Sequence, residues 1–131
     1  EYDIPNNGAG GGEAMAAIDL AAGSLPMADA LKELGTGVYV SNMWYLNFSD
    51  RAFCRMTGMT RFATFWVEKG EIKAPLNVMR FDDSLFKLMG ENLLALTAER
   101  EMIIDGDSYG ARGTNSARLP GALVKDLQFV L

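Results

Sequence analysis

The chain has 131 residues, of which 49% are hydrophobic and 22% are charged, and its formal net charge is −5. This length fits one domain, and the composition is that of a globular protein rather than a disordered chain. No stretch approaches the ~20 apolar residues that a membrane-spanning helix needs, so no membrane association is predicted.

The chain contains no histidine and a single cysteine, Cys54. Ser-His-Asp and Cys-His catalysis are therefore excluded within the chain. A common zinc site, which needs several His or Cys ligands, is nearly excluded too, and no cofactor is predicted. We interpret Cys54 as a small, partly buried apolar side chain; a thiol activated by Arg51 and Arg55 is the less favoured alternative.

Nucleic-acid binding is not predicted, because it usually requires a basic patch and the positive residues of this acidic chain are scattered. The densest group of positive charges is Arg51, Arg55 and Arg61. These three arginines could form a small anion site or lie in a solvated loop, and the solvated loop is favoured.

Residues 1–13 are predicted to be a linker, and residues 14–131 to form the domain. The glycines at Gly8 and Gly10 begin a GxGxxG pattern, but its third glycine position is Glu13 and no strand precedes it. A dinucleotide site is therefore rejected. The short apolar run over residues 15–22 predicts a buried strand.

The next elements are a short helix and the strongest strand signal of the chain. Apolar residues at spacings of three and four predict a helix over residues 27–34, with Gly35 as its C-terminal stop. β-branched and aromatic residues predict a strand over residues 37–48. Residues 50–60 are predicted to be irregular.

A hairpin follows. Residues 62–68 and 71–74 are predicted strands, and the Lys69-Gly70 pair between them suits a tight type I′ turn, which needs positive φ angles. Residues 78–81 are a further candidate for the same sheet.

The best helix signal covers residues 82–96, with Asp82 or Asp83 as its N-cap. A short strand over residues 100–104, a long polar loop over 105–118 and a terminal strand over 122–131 complete the prediction. The fold class is therefore α+β: a mostly antiparallel β-sheet with one long helix and one short helix. The apolar stripe of the long helix consists of Leu85, Leu88, Met89, Leu93 and Leu96.

One segment carries a family resemblance. The run Thr57-Gly-Met-Thr-Arg-Phe-Ala-Thr-Phe-Trp-Val-Glu-Lys-Gly-Glu-Ile72 resembles the C-terminal signature of TldD/PmbA proteins, and Pro75 follows at a fitting distance. The Asn7-Gly8-Ala9-Gly10 run upstream and the Leu119-Pro120 pair downstream are similar to the family's flanking segments. Together these pieces cover nearly the whole chain, in the family's order and spacing.

The resemblance implies a cytoplasmic protein that works as a homodimer or as a heterodimer with another TldD/PmbA-family subunit. In the TldD branch such a protein is a zinc metallopeptidase that acts on peptides or unfolded segments. Its His-Glu-x-x-x-His helix lies upstream of this domain, and a cysteine shortly before the Leu-Pro supplies a further zinc ligand. The matching residues 108–112 contain no cysteine, so the chain is closer to the PmbA (TldE) or metal-free side.

We therefore expect a domain that contributes a cleft wall and a subunit interface, without catalytic or metal-binding residues of its own. Zinc is expected, if anywhere, in the full-length protein or its partner. The alternative is a non-catalytic structural or partner-binding subunit that has no peptide cleft. Candidate contacts to a peptide or a partner are Tyr45, Arg61, Tyr109 and Arg112.

Overall fold

The computed structural model describes residues 17–104, 106 and 115–130. Strands make up most of this part of the chain. A 3-10 turn at Met27–Asp29 leads into helix α1 (Ala30–Leu34), and helix α2 is Leu85–Leu88. The strands are β1 Ala17–Asp19, β2 Gly37–Val40, β3 Met43–Asp50, β4 Arg55–Thr60, β5 Thr64–Glu68, β6 Glu71–Pro75, β7 Arg80–Ser84, β8 Leu93–Ile104, β9 Ser116–Val124 and β10 Phe129–Val130.

The strands of the described residues form three sheets, with the orders β1-β9-β8, β10-β7-β4-β3 and β2-β5-β6. Neighbouring strands are antiparallel, except that β1 and β9 are parallel. The segment before the 3-10 turn also contacts β8, because Leu25 forms an isolated parallel bridge with Thr97.

The predicted long helix over residues 82–96 is wrong, and the α+β class is corrected to a mostly antiparallel β fold with only short helices. Phe81 and Asp83 are buried while Arg80 is exposed, which is the period of a strand. Strand β7 lies between β4 and β10, and these long-range pairings outweigh the local helical pattern. Four residues of helix remain in α2, and β8 begins at Leu93.

Two local predictions are confirmed. The 3-10 turn and α1 together span the predicted short helix, which ends before Gly35. The tight hairpin between β5 and β6 is present, with Lys69 and Gly70 at φ angles of 52° and 78°. Positive φ at both central residues is the requirement of a type I′ turn, and glycine meets it without steric cost.

Other boundaries differ from the predictions. The single strand predicted over 37–48 is divided into β2 and β3, and the stretch predicted to be irregular contains β4. The terminal strand becomes the end of β9 and the short β10. The predicted buried strand at 15–22 is the exposed β1. The linker over 1–13 and most of the loop over 105–118 lie outside the described residues.

Little of the described apolar surface is buried. Val67 and Phe81 are the buried apolar side chains of this part of the chain, whereas Met102, Ile103 and Ile104 at the end of β8 are all exposed. Exposed apolar patches often mark interaction surfaces. No helix in the described residues has the length and apolar character to cross a membrane.

Candidate functional site

The four-stranded sheet has two chemically different faces. Direct cross-strand partners share a face, so the register assigns each residue to one side. The Phe81 face contains Met43, Phe48, Met56, Gly58, Thr60, Phe81, Asp83 and Phe129, and the Arg55 face contains Trp44, Asn47, Asp50, Arg55, Thr57, Met59, Arg80, Asp82, Ser84 and Val130.

Strand β3 forms one edge of this sheet and is irregular. Trp44 pairs with Met59 and Asn47 with Thr57, so Tyr45 and Leu46 together stand opposite Gly58. This is the arrangement of a β-bulge, which redirects side chains and is common near functional sites. Tyr45 has a φ of 57°, a costly conformation for an aromatic residue, and its side chain is 73% exposed.

Arg61 lies beside this bulge. Its backbone N–H donates to the carbonyl of Asn42 at 3.0 Å, which fixes the position of the chain just after β4. The Arg61 Cζ lies 4.2 Å from the centroid of the Trp44 ring, within cation–π range. Trp44 is itself 52% exposed. The guanidinium is therefore held on the surface by an aromatic ring.

The centre of the Arg55 face is an ion pair. Arg55 donates to the Asp82 Oδ1 from Nε at 3.0 Å and from its terminal nitrogen at 2.6 Å, and also to the Asp82 carbonyl. A hydrogen bond from Ser49 and the pairing with Arg55 lower the pKa of the Asp82 carboxyl below its ordinary value. Asp82 is therefore ionised at neutral pH and is a poor general base.

Arg80 lies on the same face, one cross-strand row nearer to Trp44. Its Nε donates to the Thr57 hydroxyl oxygen at 3.4 Å, and the Thr57 hydroxyl donates to the Phe81 carbonyl at 2.9 Å. Trp44, Met59 and Arg80 form a row of direct cross-strand partners over β3, β4 and β7. With Arg61, this row places two guanidiniums and one indole ring on one side of the sheet.

The residues present do not fit zinc. The whole chain has no histidine, and its one cysteine, Cys54, lies in the turn before β4. The part of the chain that the structure describes contains no group of three His, Cys, Asp or Glu residues placed to hold a metal ion. The Arg55 face therefore lacks the His and Cys ligands that a zinc site needs.

The candidate contact residues named from the sequence fall into two groups. Tyr45 and Arg61 lie at the same end of the β3–β4 pair, on either side of Trp44 along this edge. Tyr109 and Arg112 lie outside the described residues.

Sequence reasoning missed Trp44 and Arg80 as partners of these residues, and it assigned Asp82 to a helix cap. Their relation depends on the register of three strands. The candidate strand over 78–81 was the part of this arrangement that the sequence indicated, whereas residues 82–84 are all polar and show no alternation.

The chain matches a known protein family over almost its whole length. Residues 2–130 match the family model described as the PmbA/TldA metallopeptidase C-terminal domain. The chain belongs to the PmbA/TldA metallopeptidase family. A search of curated proteins found no match.

Membership of the PmbA/TldA family confirms the resemblance carried by residues 57–72, because the match extends over almost the entire chain. The matching model describes the C-terminal domain of the family.

Proposed function

We propose that this chain supplies a wall of the peptide cleft and part of the subunit interface in a PmbA/TldA-family protein, and that it leaves metal chemistry to other parts of the assembly. The protein would act in proteolysis of peptides or unfolded segments, in the cytoplasm, as a homodimer or with a second family subunit. Any zinc would be held elsewhere in the full-length protein or by its partner.

The observation that carries this proposal is the strained and exposed Tyr45. Tyr45 has a φ of 57° at the bulge of β3, and its side chain is 73% exposed. Strain of this kind costs of order 1–3 kcal/mol and is concentrated at binding and catalytic sites. Trp44 and Arg61 beside it supply the stacking and hydrogen-bonding groups that are enriched at binding hot spots.

The subunit interface is supported by the apolar end of β8. Met102, Ile103 and Ile104 are exposed on a strand that pairs with β9 along one edge. Apolar side chains on a free strand edge invite pairing with another chain unless something covers them. We expect a second subunit of the family to cover this edge of β8.

The experiment uses the full-length protein and a fluorescent peptide of mixed, unstructured sequence. Trp44→Ala should weaken peptide binding by about tenfold or more, because a central aromatic contact contributes roughly 2 kcal/mol at an interface. Phe86→Ala is the matched control: Phe86 is 71% exposed and lies on α2, which follows β7 at the end opposite to the row of Trp44 and Arg80. Binding is measured by fluorescence anisotropy, and the mass of each variant by analytical ultracentrifugation.

The alternative, a structural or partner-binding subunit with no peptide cleft, gives a different result. In that case the dimer forms but the wild-type protein does not bind the peptide. Equal peptide binding by the wild-type protein and the Trp44→Ala variant would also show that this surface is not part of the cleft.

A further inference from the structure

Two guanidiniums on the Arg55 face are held in place by uncharged groups. Arg61 lies over the Trp44 ring, and Arg80 donates through Nε to the hydroxyl of Thr57. An aromatic face and a hydroxyl orient an arginine without neutralising it, and neither side chain is in an ion pair within the described residues.

The carboxylates of the Arg55 face accept hydrogen bonds from groups other than Arg61 and Arg80. The ion pairs within the described residues join Arg55 to Asp82, Lys73 to Glu71 and Arg100 to Asp19. Asp82 feels the charge of Arg80, yet its Oδ1 accepts both hydrogen bonds from Arg55. Asp50, on the same face, accepts backbone N–H groups of Ala52 and Phe53. The end of the face near Trp44 thus has two exposed arginines and no carboxylate in the Trp44–Met59–Arg80 row.

This local charge is opposite in sign to that of the chain, which has a net charge of −5. At physiological ionic strength exposed charges act over roughly 8 Å, so a ligand at Trp44 experiences the nearby arginines more than the distant acidic residues. A long polyanion such as nucleic acid would extend beyond this corner and meet the acidic remainder. A short segment with one or two carboxylates would not.

We propose that Trp44, Arg61 and Arg80 bind an acidic segment of a peptide chain, with its carboxylates paired to the two guanidiniums. Arginine suits this role because its planar fork matches a carboxylate in a bidentate manner. Trp44 supplies an exposed ring for the aliphatic part of a Glu side chain or a neighbouring apolar residue. This inference rests on the proposed peptide-binding role and names the class of peptide that the same surface prefers.

The test compares two N-acetylated, C-amidated peptides that differ only in charge. In one Glu alternates with Thr, and in the other Gln replaces every Glu. Both are titrated into the full-length protein at low and at high salt, with detection by calorimetry. The variants are Arg61→Gln and Arg80→Gln, and the control is Lys32→Gln, which removes the same charge from the exposed surface of α1.

The expected result is a preference of the wild-type protein for the Glu peptide that shrinks at high salt. Each arginine variant should weaken binding of the Glu peptide by about fivefold, the upper range for one exposed ion pair, and should weaken binding of the Gln peptide by less. Lys32→Gln should change neither. Folding of each variant is checked by circular dichroism, so that a misfolded protein is not counted.

Three outcomes would overturn the inference. If both peptides bind equally, peptide binding stands and the preference for acidic segments falls. If neither peptide binds, the proposed peptide role fails together with it. If a short single-stranded oligonucleotide displaces the Glu peptide at equal charge concentration, the surface is a general polyanion site.

Discussion

Asp82 and Asp83 are neighbours in β7, and they show how differently the two faces of one sheet are used. Asp83, on the Phe81 face, is buried, and its carboxylate accepts backbone N–H groups of Ser84 and Gln128. Asp82, on the Arg55 face, reaches solvent and pairs with Arg55. One carboxylate secures the path of the chain from β9 to β10, while the other belongs to a surface of charged and aromatic groups.

Because side chains alternate along each strand, the buried Phe81 and the proposed binding residues lie on opposite faces of the sheet. Phe81 packs over Gly58, where an added Cβ would lie 2.9 Å from the Phe81 Cζ and 2.7 Å from the Leu46 Cδ2. Such close contact leaves no space for a side chain at Gly58. On the opposite face, Trp44, Arg61 and Arg80 are exposed and can be replaced without opening the core.

The largest effect is expected when the Phe81 face is broken. Phe81→Ala should destabilise the sheet by about 3–5 kcal/mol, because it removes a buried aromatic side chain and leaves a cavity. Phe86→Ala, five positions later and exposed, should change stability by about 0.5 kcal/mol or less. Hydrogen exchange of β4 and β7 in the full-length protein measures both. Similar losses for the two variants would contradict the assignment of the faces.

The same residues explain what the sequence could and could not predict. The β5–β6 hairpin was predictable because the Lys69-Gly70 turn is determined by adjacent residues. Segment 82–96 was not, because its leucines fit a helical stripe. Its first residues belong to β7, which pairs with β4 and β10, and its last belong to β8, which pairs with β9. The spacing of apolar residues within a segment does not reveal strand partners that lie more than twenty positions away in the sequence.

The candidate site follows the same rule. Tyr45 could be named because it lies in the aromatic segment predicted as a strand over 37–48, and Arg61 because it lies in the run over 57–72 that resembles the family. Arg80 could not, since it approaches the Trp44 end of the face only through the register of β3, β4 and β7. The strain at Tyr45 was equally hidden, because a bulge arises from the pairing of two strands and not from either sequence alone.

A smaller effect is expected from the ion pair on the Arg55 face, and it depends on pH. The pKa of Asp82 is lowered in the folded protein by Ser49 and Arg55, so its stabilising contribution is complete above the ordinary value of 3.8 and is lost as the pH falls below it. Asp82→Asn should therefore be less stable than the wild type at neutral pH. The difference should shrink as the pH falls through the acidic range.

Urea unfolding of the full-length protein between about pH 7 and pH 3 measures this difference. Glu91→Gln is the control, since Glu91 is an exposed carboxylate without an ion pair among the described residues. A constant difference between Asp82→Asn and the wild type over the whole range would mean that the Asp82 carboxylate gains nothing from its partners.

The smallest change in stability is expected at Tyr45, where a backbone conformation that is unfavourable for folding is proposed to serve peptide binding. Glycine adopts a φ of 57° without the steric cost that tyrosine has, so Tyr45→Gly should leave stability unchanged or raise it by up to about 1 kcal/mol. The same variant should weaken binding of the fluorescent peptide, because it removes the exposed ring. Ala63→Gly, at a φ of 53°, relieves similar strain without removing a large side chain, and it should keep peptide binding intact. If Tyr45→Gly lowers the free energy of unfolding instead, the tyrosine side chain stabilises the bulge. Its positive φ would then be explained by folding and would not support a binding role.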